Sequence, residues 1–176
     1  MIKKFKFIII FLFFLIINHN YTYAESSIYF IDLDFIYNNS EAGKKINNEI
    51  KNKSKKINTQ LSTIKKKIDD DKKKLVNQKN ILSADEYENK TNKLKNRINE
   101  YNKLLSSKKK ELIVFRDKSK IEFSSKLKDI LQDYAKNNSI EMIINKSNIL
   151  IGKNNLDVTK DILDLFNKNV KLIKIQ

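Results

Sequence analysis

LSADEYENK, residues 82–90, sits between two long Lys-rich stretches with helical apolar spacing, in a 176-residue chain that has no proline. Its reading decides the fold: the flanking stretches form one continuous rod, or the chain turns here and runs back on itself. Ahead of it, apolar residues fall on two interleaved seven-residue series, Ile50, Ile57 and Ile64 on one, and Leu61, Ile68, Leu75 and Leu82 on the other. Such a four-and-three offset is a coiled-coil seam. Behind it, Tyr87, Leu94 and Tyr101 run beside Thr91, Ile98, Leu105 and Leu112. The step from Leu82 to Tyr87 is five residues and continues neither spacing, so an unbroken rod would rotate its stripe here. Ser83-Ala84-Asp85-Glu86 also has the form of a capping box, in which the Ser side chain takes the Glu N–H and the Glu reaches back to the Ser N–H. Asp85 and Glu86 suit the positive end of a new helix. These signals place a hairpin tip near residues 82–86, with Ser83 and Glu86 as its residues. A continuous helix is the competing reading, because Ala and Glu favour helix and no glycine makes the turn.

Working outward, SIYFIDLDF (27–35) alternates so that Tyr29, Ile31, Leu33 and Phe35 face one way, which reads as a strand. At NNSEAGKK, Ser40 suits a helix N-cap and Glu41 its first turn, so the ascending helix starts at residue 41. The descending helix runs from about Ala84 to Asn138 and gains larger apolar residues toward its end, among them Phe115, Phe123, Leu127 and Tyr134. IEMIIN (140–145) and SNILIG (147–152) read as two short strands. A short helix follows, capped by Asp157 or Thr159, and the tail VKLIKI alternates as one more strand would. The expected fold class is α+β: a small β-rich body from residues 25–40 and 139–176, with an antiparallel helical hairpin, 41–138, inserted after the first strand. The ascending arm, of about 40 residues, would extend roughly 60 Å.

The N-terminus has the anatomy of a secretory signal peptide: Lys3, Lys4 and Lys6, the apolar run Ile8 to Ile17, then a polar stretch ending at Ala24. Cleavage is expected after residue 24. An uncleaved anchor is the alternative, but even Phe5 to Ile17 is 13 residues, against roughly 20 for a spanning helix. Without this segment the chain has neither Cys nor His, since His19 is the sole histidine. That excludes thiolate and imidazole metal sites, Cys nucleophiles and a His base.

Charge is segregated. Residues 41–138 hold 27 Lys or Arg against 14 Asp or Glu, a net +13, while 139–176 hold 6 against 4 and 25–40 contribute −3. Runs such as Lys65-Lys66-Lys67, Lys72-Lys73-Lys74 and Lys108-Lys109-Lys110 commonly coat solvated faces, but the concentration of the whole excess on the hairpin points to an anionic partner. Nucleic acid is disfavoured by the export signal and by the scarcity of arginine, present only at 97 and 116. The narrow seams do not make a membrane-surface helix. No phosphate loop, metal-spaced cluster or Ser–base pair is visible, so no enzyme activity, cofactor or metal is expected.

The strand with SEAGKK, the long Lys-rich hairpin and the closing IEMIINKSNILIGKNNLDVTKDILDLFNK together resemble the Skp/OmpH family of periplasmic chaperones, over the whole exported chain. The ends carry the more specific likeness; the hairpin is generic coiled coil without the glycine that would define its tip. The resemblance implies a periplasmic homotrimer whose bodies join through β-structure, with Tyr29, Ile31, Leu33 and Ile143 at the core of the body. It also implies three hairpins projecting around a cavity that holds unfolded outer-membrane proteins without ATP. The nine lysines named above would then attract clients diffusely, and apolar side chains near the hairpin bases would hold them loosely. Transient contact with the membrane or with lipopolysaccharide is left open. A structural envelope protein acting as a spacer or tether is the second reading.

Overall fold

The computed structural model describes residues 27–174; the expected signal peptide, residues 1–24, lies outside them. Strand β1 (Ile28–Ile31) leads into helix α1 (Leu33–Asn39), α2 (Glu41–Asn77) and α3 (Ala84–Asn137), then strand β2 (Met142–Asn145) and helix α4 (Thr159–Asn169). Single 3₁₀ turns lie at Lys146–Asn148 and Asn154–Leu156.

The antiparallel arms α2 and α3 are 37 and 54 residues long, about 55 and 80 Å. The molecule is therefore a long helical hairpin with a small strand pair at its base. On α2, Ile57, Leu61, Ile68 and Leu75 are buried against α3, the alternation that a two-helix seam requires. The turn occupies residues 78–83: the Gln78 N–H still bonds Lys74 O, and the Leu82 N–H bonds Gln78 O. Helix α2 thus stops before Leu82, and Leu82 belongs to the turn rather than to the ascending seam.

Strands β1 and β2 pair in parallel, with Tyr29 opposite Ile143 and Ile31 opposite Asn145. The hairpin is the crossover between them. On the other edge of β1, Phe30 bridges to Asp157, and Val158 N–H donates to Phe30 O at 3.0 Å. Beneath the sheet, Ile31, Ile36, Ala42, Ile46, Phe123, Leu127, Val158, Ile162, Phe166 and Ile173 form the core. Phe123 stacks edge-on to Tyr37 and against Phe166, with centroids 4.9 and 4.8 Å away. One core therefore joins both arms to the body.

Three strand readings are corrected. The first strand ends at Ile31 because Asp32 caps a helix, its Oδ1 accepting the Phe35 N–H at 2.8 Å; Leu33 and Phe35 are exposed residues of α1. Residues 147–152 form no strand. The chain folds back there through the Lys146–Asp157 ion pair at 2.9 Å, while the edge of β1 away from β2 is taken by Asp157 and Val158, leaving Leu150 and Ile151 fully exposed. Residues 170–174 of the tail are not a strand either; Ile173 plugs the core while Leu172 faces solvent. Residue 175 lies outside the described residues.

Helix α3 ends as a sequence without glycine there must. Ser139 takes φ 53°, a left-handed conformation, and the Ile140 N–H returns to Ala135 O at 2.9 Å. This closes the last turn as a Schellman motif, with serine in the place glycine usually fills.

Candidate functional site

The chain's chemistry is spread over the hairpin surface. Lys65, Lys66, Lys67, Lys72, Lys73 and Lys74 are exposed on the distal half of α2, and Lys109 and Lys110 are exposed on α3. Lys108 differs. Its Nζ bonds Glu111 at 2.8 Å, and Lys53 of the opposite arm reaches the other Glu111 oxygen at 2.7 Å. Hydrogen bonds from Lys108 and Lys53 pull the Glu111 carboxyl down to about 2. Lys53 also lies 5.2 Å above the Phe115 ring. Lys108 is thus tied into an ion triad, and the nine lysines form no single pocket: 65–74 lie on one arm and 108–110 on the other, at the level of Lys53.

Two more polar ties cross the arms. Arg97 pairs with Asp71, and Lys90 donates to the Gln78 side chain at 2.9 Å. With Lys74, Lys93 and Leu94 they line a cleft of about 300 Å³ near the tip. At the tip itself the Ser83 N–H donates to Glu86 Oε2 at 3.1 Å and the Glu86 N–H to Ser83 Oγ at 3.3 Å, a complete capping box. The Ser83 hydroxyl and N–H also lower the Glu86 pKa. The turn, which contains no glycine, is closed by the backbone bonds of Ile81 and Leu82 to Gln78 O and by this capping box.

At the base, Ser40 is fully buried and serves two helices, ending α1 with its N–H on Ile36 O and opening α2 with its Oγ on the Gly43 N–H. Across the body, Asp32 N–H donates to Thr159 Oγ1 at 2.8 Å, and Thr159 in turn bonds Asp157. Burial would raise the Asp157 pKa, but hydrogen bonds from Thr159 and Lys146 outweigh it and lower the value. Of the residues expected in the body core, Ile31 is buried, Tyr29 and Ile143 are half-buried against it, and Leu33 is exposed on α1. Exposed apolar residues Ile28, Met142, Leu150 and Ile151 also belong to the body.

Among the described residues no group of three or more His, Cys, Asp or Glu could hold a metal ion, and no helix is long and apolar enough to cross a membrane. The sequence reading missed Ile113, Val114 and Ile121, exposed apolar residues on α3. Their signal was present: all three fall outside the Leu105–Leu112 seam series.

A family model described as "Outer membrane protein (OmpH-like)" matches residues 27–166. No curated protein sequence matches the chain. Among solved structures, the chain is similar to a candidate outer membrane chaperone (OmpH-like) from Caulobacter crescentus CB15, with a TM-score of 0.79 at 15% identity over 86% of this chain and 89% of that one.

Proposed function

The chain belongs to the OmpH-like family, and from that premise we propose that it is an ATP-independent holdase of the periplasm that binds unfolded outer-membrane proteins and keeps them from aggregating. The observation that carries this reading is the segregation of charge and shape. The hairpin holds a net +13 on two long arms, and eight of the nine lysines in its named runs are exposed rather than spent on internal ion pairs.

In this reading the body assembles three chains and the hairpins bind. Copies repel one another through their basic arms, so association falls to the near-neutral body, where Ile28, Met142, Leu150 and Ile151 offer uncovered apolar surface and the outer edge of β2 offers unpaired backbone. Three hairpins would set about +39 around a shared space, a field that concentrates acidic clients. Many weak contacts then hold a client without a fixed site. The protein would be no enzyme.

Diluting a urea-unfolded outer-membrane β-barrel into buffer at low salt, with and without the mature chain, tests the reading. Suppressed light scattering at a threefold molar excess is expected. Scattering equal to that of the client alone would leave the spacer or tether role instead.

A further inference from the structure

Residues 170–174 follow the last helix and lie beyond the stretch that the OmpH-like family model matches. Their apolar alternation suits a strand, yet they form none. They run back instead across the root of α2. Lys45 Nζ donates to the Lys171 carbonyl oxygen at 2.9 Å, and Lys171 Nζ lies 3.5 Å from Glu41 Oε2. Just ahead of them, the Asn167 side chain accepts the Glu41 N–H at 2.9 Å. Glu41 and Lys45 stand one turn apart on one face of α2, while Ala42 and Ile46, about 100° further round, are buried in the core. Ile173 completes the crossing: it is 6% exposed and joins Ala42 and Ile46 in that core, although Leu172 and Lys174 beside it face solvent.

The root of α2 is where such a crossing has leverage. Helix α2 leaves α1 through the single extended residue Ser40, at φ −68° and ψ 151°. Its 37 residues make a lever of about 55 Å, so a swing of about 10° at the root carries the far end through about 10 Å. The ties that oppose such a swing are unequal. The Lys171–Glu41 pair is exposed on both sides and therefore weak. The main closing force is the burial of one isoleucine, set against the ordering of five residues that have no helix or strand bonds of their own.

We propose that residues 170–174 are a strap that sets the direction in which the hairpin leaves the body. Closed, with Ile173 plugged, it fixes the root of α2; open, it lets the arms swing. Because little holds it, the strap opens ahead of β1, β2 and α4. It follows from the fold and stands or falls separately from the holdase reading.

Two measurements test it, on the mature chain and on the same chain ended after Val170. Both strands and α4 are complete in the shortened chain, so helicity should stay close to wild type. The amides of residues 44–48 should exchange at least about tenfold faster, while those of residues 162–166 change less than about twofold. The second measurement uses the absence of cysteine: spin labels on Lys66→Cys in α2 and Lys160→Cys in α4, both exposed positions, report one distance between arm and body. In labelled chains diluted into unlabelled ones, the distance distribution should widen on truncation. An unchanged width, unchanged exchange at residues 44–48, or protection lost equally through α2, α4 and the strands would each overturn the strap. Ile173→Ala keeps the tail and covers the case in which the shortened chain misfolds. The same amides should then quicken at least about threefold, and no change there in the folded variant would overturn the strap as well.

Discussion

Gly43 has no room for a side chain. A Cβ there would sit 1.8 Å from the Tyr37 carbonyl oxygen and 2.9 Å from the Ser40 hydroxyl, and the first of these is backbone. The close approach lets α1 turn directly into α2 through the single residue Ser40. Gly43→Ala should therefore cost about 3 kcal/mol or more, read as a lowered urea midpoint with unchanged slope. Glu111 makes a prediction about acid. Its carboxyl is held at about 2 by Lys108 and Lys53, below the ordinary carboxylate range near 4. A lowered folded pKa means that these ties contribute fully above that range and are lost as pH falls from about 4 toward 2. Wild type should be more stable than Glu111→Gln at pH 6, and the two should converge near pH 2, as followed by thermal melts of helicity. The tip was legible at this scale because a capping box and a phase break are both local. Gly43 was not, since the atom that excludes a side chain comes from α1, which the alternation of Ile31, Leu33 and Phe35 disguised as strand.

The hairpin is an element with one thin seam. Ile57, Leu61, Ile68 and Leu75 are buried on α2, but α3 places only half-buried Leu94, Ile98, Leu105 and Leu112 opposite them. Its distal part therefore depends on few residues, and Ile68→Ala should cost about 2 kcal/mol, the low end for a buried aliphatic, because the site opens to solvent. Hydrogen exchange should quicken in the distal arms while α4, anchored by Ile162 and Phe166, keeps its protection. Heptad spacing made the arms readable from residues alone. The body was less so: a strand needs an edge to pair with, and whether SNILIG finds one depends on where Asp157 and Val158 lie, not on its own β-branched composition. Asp32 carried the missed signal, since an Asp three residues before a free helical N–H is an N-cap as readily as a strand end.

At the scale of the whole molecule, the near-neutral body and the strongly basic arms would, on the proposed reading, give assembly and binding to different parts. Uncovered Met142, Leu150 and Ile151 at the base should be buried between copies, so light scattering of the mature chain should report about three chains, and Leu150→Asp/Ile151→Asp should shift the mass downward without loss of helicity. A stable wild-type monomer or dimer would contradict the assembly. The holding of clients is the central claim, and the chain offers a clean way to observe it. It contains no tryptophan, so the emission of a Trp-containing outer-membrane protein diluted from urea reports the client alone. Titrating such a client with the mature chain should give saturable binding at low salt, with the tryptophans kept in an unfolded, non-aggregated environment, and affinity that weakens as salt screens the basic arms. Emission that follows the aggregating client alone at every concentration, or binding indifferent to salt, would contradict the account.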